Sequence, residues 1–164
     1  MIRSVSTKTG QPLLRGVHHF GLSVRDLDLS ISFYCDVLGA ALTRPPYGGD
    51  SPAFSGRMAI VALSTTGLDL FEHADSTREL FDPARTGLDH LGFAAESMKE
   101  LQDWAQWLDE CSIPHSGVRE IVPGDTGSVP IGAMLDFRDP DGIQLEFLYV
   151  DAAKVKASAA FEPH

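Results

Sequence analysis

Cysteine is scarce in this chain, with two among 164 residues. Cys35 and Cys111 fall inside helix-like patterns and lack the spacing of metal-ligand pairs. They read as buried thiols of a reducing cytoplasm, which excludes a disulfide framework. Long apolar runs are missing too. None approaches the ~18 residues needed to cross a bilayer, and the first twenty residues lack the apolar stretch of a signal peptide. Basic charge is in short supply: 13 Lys and Arg stand against 23 Asp and Glu, for a net charge of −10. That balance disfavours nucleic acid, whose affinity comes from neutralising phosphates, and anionic membrane surfaces. The expectation is a soluble cytoplasmic protein whose partner is a small organic molecule or a cation.

What is present is ordinary in amount and unusual in arrangement. The 43% apolar and 22% charged content suits a globular protein. A chain of this length buries roughly 70% of its unfolded surface, enough for a core without cross-links. The arrangement is a repeat. Gly16-Val17-His18-His19-Phe20-Gly21-Leu22-Ser23-Val24 answers Gly87-Leu88-Asp89-His90-Leu91-Gly92-Phe93-Ala94-Ala95 at a constant offset of 71. Both alternate with period 2, as strands do. Phe20, Leu22 and Val24 make one face and His19, Gly21 and Ser23 the other; Leu91 and Phe93 oppose His90, Gly92 and Ala94.

Each strand leads into a helix. Asp26 or Asp28 caps the first, Leu29, Ile31, Phe33, Tyr34, Val37 and Leu38 supply its apolar stripe, and Gly39 ends it. Ser97-Met98-Lys99-Glu100 is a capping box for the second, with Leu101, Trp104, Trp107 or Leu108 and Cys111 on its stripe. Strands are expected around 41–44, 58–64 and 67–73, then around 117–121, 131–137 and 143–150. The last pair of each half is joined by a turn, Ser64-Thr65-Thr66-Gly67 or Asp139-Pro140-Asp141-Gly142. The fold class is therefore α+β, two tandem βαβββ modules spanning 15–75 and 86–150 of one domain. An N-terminal arm (1–14) and an Ala/Lys-rich tail (152–164) lie outside it, the tail either helical or frayed.

Leu68-Asp69-Leu70 aligns with Leu145-Glu146-Phe147, which puts a carboxylate at equivalent places in both halves. His19, His90, Asp69 and Glu146 all oppose the apolar residues of their strands. Surface polar residues are common singly, but this parity repeats. Two imidazoles and a carboxylate suit iron, manganese, cobalt, nickel or zinc better than calcium or magnesium, and three protein ligands leave a position open for substrate.

These residues, with Phe33-Tyr34, Leu38-Gly39 and the Asp139-Pro140-Asp141-Gly142 turn before Glu146, resemble the vicinal oxygen chelate superfamily over residues 15 to 150. That superfamily includes glyoxalases, extradiol dioxygenases, and fosfomycin- and bleomycin-resistance proteins. The resemblance implies a cupped, barrel-like mixed sheet around one divalent metal ion, with His19, His90 and Glu146 as ligands. Asp69 falls at the position where lyases and epimerases of the family present Glu, Gln or His. It then binds directly, holds a metal-bound water or acts as a base. The resemblance further implies an enzyme chelating neighbouring oxygens of a small substrate, with Asp69 or Glu146 moving a proton in lyase or isomerase chemistry. Its alternatives are an Fe(II) extradiol dioxygenase and a non-catalytic drug-binding protein of the bleomycin-resistance type. A homodimer is the default assembly.

The remaining candidates are weaker. His18 points to the opposite face from His19 and reads as structural or partly exposed. His73 shares Asp69's face two steps on, at a pocket rim, and His115 sits in a connection without a motif. Residues 44–57 and 123–128 read as irregular loops, either closing over a pocket with Tyr47 or Phe54 as an aromatic wall or standing as disordered surface excursions.

Overall fold

The computed structural model describes residues 12–13, 16–51, 54–64, 66–123 and 129–159. The first module runs β1 (His19–Ser23), α1 (Leu27–Ser32), a π-helical turn (Phe33–Val37), β2 (Ala41–Ser51), β3 (Phe54–Leu63) and β4 (Thr66–His73). The second runs β5 (His90–Ala94), α2 (Met98–Glu110), β6 (Arg119–Ile121), β7 (Gly132–Arg138) and β8 (Gln144–Val150), followed by α3 (Ala152–Ala159). Each module forms one four-stranded mixed sheet, in the orders β1-β4-β3-β2 and β5-β8-β7-β6. The expected α+β pair of βαβββ modules is what the structure shows, with the sheets cupped and not closed into a barrel. A single core cluster draws on both modules, through Leu22, Leu68 and Leu70 from one and Leu91, Leu135 and Leu145 from the other.

Local chemistry explains the helix ends. The Asp26 carboxylate accepts a hydrogen bond from Leu29 N at 3.0 Å, which settles the first cap. Ser97 Oγ accepts from Glu100 N, but the Glu100 carboxylate reaches Glu96 N and not the cap's own amide. The first apolar stripe differs from expectation. Leu27, Ser30, Phe33 and Tyr34 are buried while Leu29 is 53% exposed. The cap at Asp26 sets this phase, and Ser30 is tolerated inside because its hydroxyl has two acceptors in reach, Asp26 O at 3.0 Å and the Asp141 carboxylate at 3.3 Å.

Residues 44–57 are not the expected loop. β2 and β3 run on as a long hairpin, with register irregularities on either side of Arg44 that absorb Pro45 and Pro46. β2 lies at a sheet edge, where missing donors are tolerated. Residues 124–128 of the proposed counterpart lie outside the described residues. So does the N-terminal arm apart from residues 12–13, and the tail beyond 159; α3 makes the described tail helical, capped by the Asp151 carboxylate. The two cysteines are free thiols but only half-buried, which corrects the expectation of full burial.

The two halves meet along two seams. In the first, α1 and the residues before it grip the β7–β8 turn. Arg25 Nε donates to Asp141 Oδ1 at 2.8 Å, Arg25 Nη2 to Pro140 O at 2.9 Å, and the Tyr34 hydroxyl to Asp139 Oδ2 at 3.0 Å. Both carboxylates are buried. Burial raises the Asp139 pKa to about 6, against hydrogen bonds from Ile143 N, Tyr34 and Asp141 N that favour its charged form. Burial and the Asp139 charge push the Tyr34 phenol upward, so it stays a donor. The second seam sets α2 and β5 against the β3–β4 turn and the end of the first helical segment, around a cavity of about 590 Å³.

Candidate metal centre

Sheet register decides which side chains share the concave face. β1 runs parallel to β4 with Gly21 beside Asp69, and β5 runs parallel to β8 with Gly92 beside Glu146. The same relation thus arises twice, a His two residues before a Gly that lies beside a carboxylate. His19 Nε2 stands 3.8 Å from Asp69 Oδ2, and His90 Nε2 stands 3.6 Å from Glu146 Oε1. The two pairs remain separate: among the described residues, no three His, Cys, Asp or Glu side chains converge as a metal cluster.

The glycines make room for these pairs. A Cβ on Gly92 would lie 3.0 Å from Glu146 Oε1, so the missing side chain is where the carboxylate rests. A Cβ on Gly21 would instead meet the Phe71 ring at 3.3 Å. Glu146 is 8% exposed, less than the polar alternation of its strand suggests. Among the described residues its carboxylate accepts no hydrogen bond, and its recorded partner is the His90 ring. A carboxylate this buried is most stable with a cation facing it. Two imidazoles with carboxylates are the donors that borderline divalent ions take. These residues fit such an ion.

Two contributors escape a reading by residue type. Asp89 Oδ1 lies 2.7 Å from His90 Nδ1; a carboxylate only accepts, so Nδ1 carries the proton and Nε2 presents its lone pair to the Glu146 side. This is the outer hydrogen bond that orients metal-binding histidines. Chiefly through that bond, with help from the Glu146 charge and against desolvation, the His90 pKa lies above its ordinary value. In the first module the equivalent residue is His18, whose Nδ1 lies 2.9 Å from His19 Nδ1. His18 is therefore a partner of His19, not a residue turned away from it. The signal was present in the repeat, where both occupy the place just before the histidine.

The walls around the two pairs differ. Beside Asp69 the face carries Ile60, Met58 and Phe71, and His73 stacks on Phe71 with Phe54 edge-on to both. His73, Phe54 and Phe71 thus pack as one aromatic cluster. Tyr47 packs on Met58 Sδ, with Arg44 over its ring. Beside Glu146 the face carries Asp136, directly across the ladder, ion-paired with Arg119. Asp136 Oδ1 is buried and, among the described residues, has no hydrogen-bond partner. His115 bonds Asp109 and Gly117 N away from both pairs, as a brace for the connection before β6.

Known proteins share the sequence and shape of this chain. A 2-epi-5-epi-valiolone epimerase from an Actinomyces species is 30% identical over 89% of this chain and 85% of that protein. The metallothiol transferase FosB of Staphylococcus saprophyticus is 28% identical over 82% of this chain and 76% of its own. Among solved structures, a glyoxylase/bleomycin resistance protein/dioxygenase domain from Frankia sp. EAN1pec is 33% identical, with a TM-score of 0.71 over 84% of this chain and 99% of that one. A mutant of FosX from Listeria monocytogenes, solved with Mn(II) and a dihydroxypropylphosphonic acid, shares the fold with a TM-score of 0.63 at 20% identity over 87% and 98% of the chains. Residues 16–147 match the model of one family, and the chain belongs to it: the glyoxalase/bleomycin resistance protein/dioxygenase superfamily.

Proposed function

We propose that this chain is a metal-dependent enzyme that binds one divalent ion through His19, His90 and Glu146, with Asp69 as the fourth group. On this reading it chelates neighbouring oxygens of a small substrate for isomerase- or lyase-type proton transfer. The observation that carries the proposal is the duplicated pair, in which an imidazole Nε2 lies within 4 Å of a carboxylate beside a glycine in both sheets. Because the pairs do not converge within the described residues, the proposal includes a homodimer in which the His19–Asp69 face of one subunit meets the His90–Glu146 face of its partner.

The ion, when bound, supplies Lewis-acid stabilisation of negative charge on a substrate oxygen. The protein's own residues do the rest. Asp89 holds His90 in the tautomer that exposes Nε2. Gly92 leaves space for the Glu146 carboxylate. Asp69, half-buried and one methylene shorter than Glu146, is the better placed of the two to take a proton from a carbon next to a carbonyl. The epimerase relative favours proton transfer over oxygen chemistry, since removing and returning a proton next to a carbonyl is one route by which a carbon centre is inverted. The FosX complex with Mn(II) favours a divalent ion in this fold.

Metal analysis of protein purified without chelator tests the proposal. The expected result is close to one equivalent of manganese, iron, cobalt, nickel or zinc per subunit in a dimer, lost in His90→Ala. Absence of metal, with none taken up on addition, overturns it. Oxygen consumption with catechols overturns the proton-transfer assignment in favour of ring cleavage by iron.

A further inference from the structure

The second seam encloses the larger cleft, while the first is bridged by side chains and keeps a smaller cavity of about 270 Å³ lined by Arg25, Leu29 and Asp141. α1 meets the β7–β8 turn through the buried Arg25–Asp141 and Tyr34–Asp139 contacts. The equivalent elements, α2 and the β3–β4 turn, enclose the 590 Å³ cavity instead. At the repeat offset of 71, Glu96 stands for Arg25 and Ala105 for Tyr34, so the second seam has neither the cation nor the phenol. The second seam is joined beside the cavity by Trp107 Nε1, which donates to Val37 O at 2.8 Å, so most of the fastening falls to the first.

The cavity's walls suit an apolar occupant. Phe20 and Leu63 come from one module and Leu91, Phe93, Trp104 and Phe147 from the other. Trp104 stacks on Phe147 at 4.2 Å between centroids, and Phe147 stacks on Phe137 at 5.2 Å, giving a flat wall backed by the core. Polar groups are few and grouped: Ser64 and Thr66 at the turn, and His90 on β5. A concave, largely aromatic cleft of several hundred Å³ with a few convergent polar groups is the usual form of a small-molecule site. His90 and Gly92 line it as well as standing beside Glu146, so the cleft adjoins the second His–carboxylate pair.

We propose that this cleft binds the apolar part of the substrate, an aryl or short alkyl group, while the oxygen-bearing end of the same molecule reaches His90 and Glu146. The substrate class is then a small vicinal-oxygen compound with an apolar tail. The orientation rests on the proposed metal reading; occupancy of the cleft does not.

The experiment separates the two. In a Trp107→Phe background Trp104 is the sole tryptophan, since the chain has two. Metal-free full-length protein is titrated with 4-nitrobenzyl alcohol, an aromatic quencher, and Trp104 emission is followed. The expected result is saturable 1:1 quenching, weakened at least tenfold by Thr66→Phe and separately by Ala94→Phe, each checked for native circular dichroism. With manganese added, 3-phenyllactate is expected to bind at least tenfold more tightly than lactate by calorimetry, and the cleft-filling variants erase the difference. Unsaturable quenching in the metal-free protein overturns the cleft as a site. Probe binding without metal uptake supports the cleft and overturns the metal reading. A dimer that the filling variants dissociate, with no probe bound, overturns the proposal by making the cleft a contact between copies of the chain.

Discussion

The two seams between the modules use equivalent elements for opposite ends. One is fastened by buried charge: Arg25 and Tyr34 reach Asp141 and Asp139 across more than a hundred residues of sequence. The other is left as a cavity beside His90. The walls of the cup are likewise unequal, with Ile60 across from Asp69 where Asp136 stands across from Glu146. Duplication fixes backbone topology and the His–Gly–carboxylate positions. Side chains around them are free to divide the work, so that one seam holds the halves together and the other offers a surface to a ligand.

Breaking the fastened seam is expected to have the largest effect. Arg25→Ala leaves Asp141, whose side chain is 7% exposed, without its cation. Removing one partner of a buried pair typically costs 3–5 kcal/mol, and the partial exposure of Arg25 brings the expectation to about 3 kcal/mol. Glu96→Ala, at the equivalent position of the other seam, is expected to cost less than about 0.5 kcal/mol. Urea unfolding of the two variants measures the contrast, and equal losses would remove the asymmetry between the seams.

The fastened seam also carries a pH signature. The Asp139 carboxyl titrates near 6 in the folded chain, above the ordinary value of 3.8. Between those values the folded state holds a proton that the unfolded state has released, so this group's contribution to stability is greatest below about pH 4. It declines as pH rises through 6 and is level above, with a total change of at most about 3 kcal/mol. Asp139→Asn does not titrate. The stability of the natural chain relative to this variant should therefore fall between pH 4.5 and 7, and a flat or rising difference would contradict the assignment.

A smaller effect is expected at the groups that orient the histidines. Asp89→Ala frees the His90 ring from its tautomer-setting acceptor and should weaken metal affinity by roughly tenfold to a hundredfold. His18→Ala, at the equivalent place, removes a neutral partner from His19, and a loss below about fivefold is expected because no carboxylate charge is withdrawn. Metal titration with a competing chelator compares them.

How much of this was readable in advance follows from what each feature depends on. The modules and the four candidate residues were legible because His, Gly and carboxylate recur at fixed spacing and parity. The fastened seam was not. Asp139-Pro140-Asp141-Gly142 reads as a turn, and Gly142 does adopt φ +83, but nothing in the sequence says that both carboxylates point inward to Arg25 and Tyr34. Pro45 and Pro46 suggested a loop because local propensity cannot see an edge strand that tolerates bulges. The repeat carries a second mark in the sequence. Gly56-Arg57-Met58 answers Gly132-Ala133-Met134, and a Cβ on either glycine would sit 2.1 Å from a carbonyl oxygen of the neighbouring strand, Glu72 O or Tyr149 O.

The smallest contrast concerns the glycines beside the carboxylates. At Gly92 an added methyl would lie 3.0 Å from Glu146 Oε1 and 3.5 Å from its Cγ. Glu146 is 8% exposed, so its carboxylate has little room to yield. At Gly21 the methyl would meet the edge of the Phe71 ring at 3.3 Å, and a half-buried aromatic ring can tilt by a few tenths of an ångström. Both glycines lie in extended strands, so alanine adds no backbone strain at either. Gly92→Ala is therefore expected to lower metal affinity about tenfold by displacing Glu146, a shift comparable to losing a group that orients a ligand. By the same scale Gly21→Ala should change it less than about threefold, because Asp69 is not the group displaced. Equal losses at the two sites would mean that Asp69 binds as firmly as Glu146, and the cup would then be chemically symmetric despite its unequal walls.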